Sequence, residues 1–187
     1  MSLVGADGVS RCAWGNSAPD YAEYHDKEWG FTLRGSQALF ERLSLEAFQS
    51  GLSWIVILRK RPAFRAAFAD FDPAAVATFD DDDVDRLLGD AGIVRNRSKI
   101  LATIRNARAV QELDQPLDEL LWSFAPSSSP RPATMEDVPA ITPESRAMAK
   151  TLKKLGFAFV GPTTCYALMQ ATGMVDDHVR SCFRATS

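Results

Sequence analysis

Prolines and glycines cut this chain into short segments, and most of the cuts carry a helix signal. Asp72-Pro73, Thr142-Pro143 and Pro162 each offer a cap or a first-turn proline, and Gly156 and Gly173 stand where helical runs stop. A helix's first turn has no use for the N–H that proline lacks, and glycine takes the left-handed backbone that ends a helix. Between the cuts, apolar residues recur at helical spacing. Ser36 caps a segment with Leu39, Leu43 and Ala47 on one face. SWIVILRKR reads as another short helix, and Pro62 opens the next, PAFRAAFADF. Asp80 or Asp81 caps DDDVDRLL, where acidic residues in the first turn suit the helix dipole. RSKILATIRNARAVQEL is the clearest amphipathic run, with Ile100, Ile104 and Ala107 on one side. Strand signals are weak, and no hairpin is expected. Residues 125–143 are rich in Ser and Pro and read as a connector. The expectation is an all-α fold of eight or more short helices, without repeats, in one domain spanning residues 1–187.

An apolar fraction of 46% and a charged fraction of 24% fit an ordinary soluble globular chain. The longest clean apolar run, Trp54–Leu58, is far too short to span a bilayer, and no membrane role is expected. The N-terminus has no apolar core of signal-peptide type. Three cysteines, an odd number, suit a reducing compartment, so a cytoplasmic location is expected. The net charge of −3 does not point to a nucleic-acid partner. Its distribution is uneven, with an acidic knot at 80–85 and basic clusters at 59–65, 95–108 and 150–154. Taken singly, each cluster reads as a solvated face.

Both histidines of the chain and two of its three cysteines lie near the chain ends: Cys12 and His25, then His178 and Cys182. On a helix, His178 and Cys182 would share a face. Two Cys and two His make a closed tetrahedral zinc site, structural because no position is left for water. Such a site would tie the N- and C-terminal segments together. The alternative is four separately buried thiols and satisfied imidazoles. Cys165, in TTCYALMQA, reads as core.

Glu46 shares a helix face with Leu39 and Leu43. A carboxylate on an apolar face needs a partner or a task. Trp14, Tyr21, Tyr24, Trp29 and Trp54 make the N-terminal half dense in rings, which with Glu46 suits a flat, hydrogen-bonding, cationic ligand. The alternative is an aromatic core with Glu46 paired to an arginine. A third feature is the glycine-bounded turn GFAFVG between two helices. The amides of Val160 and Gly161 would face a phosphate there, with Lys153 and Lys154 alongside; an ordinary helical hairpin is the alternative.

YAEYHDKEWG, GLSWIVILRKR, DAGIVRNRSKI, GFAFVGPTTCY and DHVRSC, in that order from Arg11 to about Phe183, resemble the DNA-3-methyladenine glycosylase I family. They resemble more distantly the helix-hairpin-helix DNA glycosylases. The resemblance implies two helical lobes with a cleft between them. One lobe would cover roughly 36–125, and the other would combine residues 10–35 with 140–187. It implies a structural Zn²⁺ on Cys12, His25, His178 and Cys182. It implies a base-recognising, catalytic Glu46 and a base pocket of Trp14, Tyr21, Tyr24, Trp29 and Trp54. The hairpin from Gly156 to Gly161, with Lys153 and Lys154, would grip the DNA backbone, and Gly51 and Leu52 would approach the gap left by an extruded nucleotide. Asp176, two residues before His178, is an open candidate between a catalytic and an orienting role. The implied activity is monofunctional hydrolytic excision of 3-methyladenine from double-stranded DNA by a monomer. The rival is a non-enzymatic damaged-DNA-binding module with the same cleft.

Overall fold

The computed structural model describes residues 2–186. The chain runs β1 (Ser2–Val4), β2 (Ser10–Cys12), α1 (Pro19–Lys27), α2 (Ser36–Gln49), α3 (Trp54–Ala67), α4 (Pro73–Ala77), α5 (Asp81–Gly89), α6 (Arg97–Gln111), α7 (Leu117–Trp122), α8 (Pro143–Lys154) and α9 (Pro162–Ala171). The fold is mostly helical, as expected. Among the described residues, no helix is long and apolar enough to cross a membrane.

Helix α2 is the centre. Every residue from Arg42 to Phe48 is buried, so two full turns of the helix are covered on all sides. Its neighbours include α3, α6, α7 and α9. Phe48, Phe64, Phe68 and Phe71 stack along one side of it, with ring centroids 4.7–6.3 Å apart. A second, smaller apolar cluster joins the chain ends through Cys12, Tyr24, Trp29, Ala171, Val179 and Cys182.

Helix starts follow the punctuation closely. Asp72 accepts from the Ala74 amide, Asp80 from those of Asp82 and Asp83, and Thr142 from that of Ser145. Gly156 and Gly173 take φ of 89° and 74° just past α8 and α9. Ile100, Ile104 and Ala107 of α6 are all buried.

Four expectations need correction. First, β1 and β2 pair antiparallel around a turn containing Asp7-Gly8, which was the available hairpin signal; strands this short show no alternation. Second, Trp54–Ala67 is one helix through Pro62, not two. The proline removes one donor, but Ile57 and Phe64 on either side are fully buried and hold the rod to the core. Third, Gly35 (φ 94°) caps α2 in place of Ser36, whose hydroxyl instead accepts from the Asp118 amide at the start of α7. Fourth, His178 and Cys182 lie in irregular turns, not on a helix.

Between α3 and α4, Ala69, Asp70 and Phe71 carry φ of 50°, 53° and 55° in succession. The buried Phe71 ring stacks on Phe68 at 5.4 Å and holds the chain in this left-handed turn. Ala69 is exposed, so its methyl gains no packing in return. A side chain in this region costs ~1 kcal/mol. Ala69→Gly is therefore expected to stabilise the protein by ~0.5–1 kcal/mol in urea unfolding, the reverse of the usual effect of glycine.

Candidate active site and metal-ligand cluster

The last turns of α2 carry Glu46 to the edge of a cavity of about 270 Å³. Glu46 is 6% exposed, and among the described residues it has no hydrogen bond or ion pair. Burial pushes its pKa up to about 7, opposed only by the charge of Arg42 one turn earlier. Arg42 is engaged elsewhere. Its Nη1 donates to the Tyr24 hydroxyl oxygen at 2.5 Å, and its Nη2 lies 3.5 Å from Glu28. Glu28 is in turn held by both terminal nitrogens of Arg61, at 2.5 and 2.8 Å. The expected alternative, Glu46 paired to an arginine, is not what the side chains do.

Trp14, Tyr21, Tyr24, Trp29 and Trp54 all line the same cavity as Glu46. Trp14 meets Tyr21 and Trp29 edge-on, at 5.6 and 5.1 Å. The Ile55 amide, one of the unpaired donors in the first turn of α3, donates to the Tyr21 hydroxyl oxygen at 2.9 Å and joins α1 to α3. The indole Nε1 of Trp54 is buried without an acceptor. Concave, ring-lined and holding one unpartnered carboxyl, the cavity suits a flat cation that can donate hydrogen bonds.

Sequence reasoning missed Gln49, Met135, Ala167 and Gln170, which also line it. Gln49 follows Glu46 by three on α2, so helical spacing was an available signal. Gln170 donates from Nε2 to the buried Asp177 at 2.8 Å, and Tyr166 donates to the same oxygen at 2.7 Å. Met135 comes from the Ser/Pro connector, where no pattern marked it.

Behind Trp14 and Trp29 sit the terminal Cys and His residues. The ligand atoms of Cys12, His25 and Cys182 lie within 4.8 Å of one another, all buried, and this group could bind a metal. His178 falls outside that limit, but its ring centroid is 5.1 Å from that of His25. Both imidazoles are oriented alike. Nδ1 of His25 meets Asp26 Oδ1 at 2.9 Å, and Nδ1 of His178 meets Asp176 Oδ1 at 3.1 Å. Carboxylates on Nδ1 leave Nε2 as the ligand atom in each ring; that of His25 faces the Cys12 amide at 3.4 Å and Cys182 Sγ at 3.5 Å. Nε2 of His178 is buried with no partner, as a missing metal bond would leave it. The hydrogen bond from Cys12 holds the Cys182 thiol below the ordinary cysteine value, against the upward push of burial. Burial holds His178 below the ordinary histidine value, in its neutral form. The donor set therefore fits a soft divalent cation. Asp176 does not line the cavity; its other oxygen accepts from Arg131 Nε at 2.6 Å.

The remaining predicted residues lie on two turns. Gly51 (φ 80°) and the 40%-exposed Leu52 follow α2. Gly156, Val160 and Gly161 belong to the turn between α8 and α9, with Lys153 and Lys154 exposed beside it. The Val160 side chain is fully buried, and Phe159 at the tip is 41% exposed with φ 55°.

The lone buried Glu46 has a consequence for stability. Its folded pKa lies above the unfolded value of 4.5, so between pH 4.5 and about 7 the folded protein holds the proton more tightly. Stability from this group is complete below pH 4.5 and is lost as pH rises to 7. At 1.36 kcal/mol per pKa unit, Glu46→Gln should gain ~3 kcal/mol over wild type between pH 4.5 and pH 8. Urea unfolding at both pH values measures this, and an unchanged difference would contradict the assignment.

Comparison with known proteins extends the picture. A family model described as methyladenine glycosylase matches residues 14–185. DNA-3-methyladenine glycosylase 1 of Escherichia coli (strain K12) is 47% identical over 180 residues, covering 93% of this chain and 96% of its own length. DNA-3-methyladenine glycosylase of Haemophilus influenzae (strain ATCC 51907 / DSM 11121 / KW20 / Rd) is 42% identical over 185 residues, covering 96% of this chain and all of its own. A crystal structure of 3-methyladenine DNA glycosylase I superposes with TM-score 0.89 at 46% identity, over 92% of this chain and 98% of the other. The Staphylococcus aureus enzyme, solved to explain 3-methyladenine recognition, gives 0.89 at 34%, over 95% and 97%. With a ring-lined cavity around a buried glutamate, and relatives that match along almost their whole length, this chain belongs to the methyladenine glycosylase family.

Proposed function

We propose that this protein is a DNA repair glycosylase that extrudes and excises 3-methyladenine from alkylated double-stranded DNA. The observation that carries the proposal is Glu46, buried and unpartnered among five rings. Methylation at N3 leaves the adenine cationic and its N-glycosidic bond weak, so the leaving group needs little acid catalysis. In the proposed reaction the bond from C1′ to the base breaks, 3-methyladenine departs neutral, and water supplies the new oxygen at C1′ and releases a proton. No strand is cut. Damage that weakens pairing makes extrusion cheaper.

The residue roles follow from this chemistry. Glu46 accepts from the adenine edge and, once ionised, faces the positive charge that the lesion carries. A guanine carbonyl at that position would set acceptor against acceptor. Trp54 and Trp14 offer stacking faces, Tyr24 a polar-edged wall, and Tyr21 and Trp29 close the pocket. The walls come from both the middle helices and the terminal segments, in keeping with a two-lobed, helix-hairpin-helix arrangement. Leu52 and Gly51 would approach the gap in the duplex, and Lys153, Lys154 and the amides of Val160 and Gly161 would take the backbone phosphates.

Zn²⁺ is the proposed metal, held by Cys12, His25, His178 and Cys182. Four protein donors make it structural and leave no open position. A monomer acting in the cytoplasm completes the proposal.

Two measurements test it. Chromatography of methylated duplex DNA after incubation should reveal free 3-methyladenine with wild type, and about 100-fold slower release with Glu46→Ala. DNA binding without any release by folded wild type would leave the non-enzymatic damage-binding module. Elemental analysis should return zinc in wild type at about one per chain, and Cys182→Ser should lose it and melt earlier. Wild type purified folded and without zinc would overturn the metal assignment.

A further inference from the structure

Helix α6 carries three buried polar side chains; Thr103 bonds within the helix, to the Lys99 carbonyl, and the other two reach beyond it. Lys99 is 7% exposed and Asn106 is 2% exposed. Among the described residues, each side chain bonds only to the backbone of a distant turn. Lys99 Nζ donates to the carbonyls of Phe48 and Ser50, at 2.9 and 2.5 Å. These carbonyls end α2 immediately before Gly51 and Leu52. Asn106 grips Ala158 from both sides: Nδ2 donates to its carbonyl at 3.0 Å, and Oδ1 accepts from its amide at 2.7 Å. Ala158 lies inside the turn from Gly156 to Gly161. Arg105 adds a bond from Nε to the Gly156 carbonyl at 2.6 Å.

Lys99 and Asn106 are seven residues apart, two helical turns, so they project from one face about 10 Å apart along the axis. That spacing is roughly three base-pair rises of B-form DNA. Each clamped turn presents an apolar tip to solvent, Leu52 at 40% and Phe159 at 41% exposure. Each also holds backbone in the left-handed region, at Gly51 and at Gly156 and Phe159. For Phe159 that conformation is costly, and it persists only where the surroundings impose it. The bidentate clamp of Asn106 on the preceding residue supplies that restraint.

We propose that Lys99 and Asn106 are positioning residues for the DNA interface, and that α6 fixes the separation between the turn entering the duplex and the turn holding its backbone. The inference rests on the glycosylase reading above. Neither residue lines the base cavity. Their loss should therefore weaken duplex binding without touching recognition of the free base.

The test uses the full chain carrying Lys99→Met or Asn106→Ala, with Asn106→Asp as the replacement for any variant that does not fold. Affinity is measured for an abasic duplex and, separately, for free 3-methyladenine, and kcat and KM are measured on methylated duplex. Removing the partner of a buried polar group predicts an abasic-duplex Kd and a KM raised about tenfold. The free-base Kd and kcat should stay within about twofold of wild type. A folded variant with wild-type duplex affinity overturns the proposal, as does a parallel loss of free-base binding, the mark of a general structural role. A wild type that neither binds duplex nor releases base overturns the glycosylase reading, and this inference with it.

Discussion

The burial of α2 from Arg42 to Phe48 governs the rest of the molecule. A helix covered on every side from Arg42 to Phe48 offers no solvent to the polar groups it carries. Arg42 resolves this by reaching Tyr24 and Glu28, which tethers α1 to α2. Glu46 has no such outlet except the cavity. A carboxyl in this position is poorly stabilised by the protein alone, and a cation that donates hydrogen bonds supplies what is missing. The binding energy of such a ligand comes from an imperfection that the fold keeps, a common trade between stability and function.

Stability and recognition share walls. Trp14 is 5.2 Å from the His25 ring and Trp29 is 4.7 Å from that of His178, and both indoles also line the cavity. The buried Cys/His cluster therefore sits directly behind two of the five rings. Gly30 explains how closely the parts fit: a Cβ there would stand 2.5 Å from Cε1 of His178. The terminal segments form the back of the ring-lined cavity and pin it to the helical core at the same time.

Much of the fold was legible because its signals are local. Caps at Asp72, Asp80 and Thr142, glycine stops at 156 and 173, and the apolar stripe of α6 each depend on a few neighbouring residues. Pro62 misled because tertiary packing overrode a local rule, and the β-hairpin escaped because its strands are too short to alternate. At the site, Glu46 and the five rings stood out as residues of unusual type in unusual company. Gln170 and Met135 did not, since their place depends on how the C-terminal helices and the connector fold back. Lys99 and Asn106 looked like ordinary members of a polar helix face; only the chain's three-dimensional path shows which carbonyls they hold.

The joining of the two chain ends can also be considered in time. His25 and Cys182 stand 3.5 Å apart in space but 157 residues apart in sequence. Chains emerge from the ribosome N-terminus first, at about 5–20 residues per second. Trp14, Tyr21 and Trp29 therefore wait many seconds for α9 and the segment after it, which supply Gln170 to the cavity and His178 and Cys182 to the cluster behind it. A partly made chain lacks both the wall and the clasp. The ring-lined cavity and the cluster behind it are therefore complete only once the segment through Cys182 has been made.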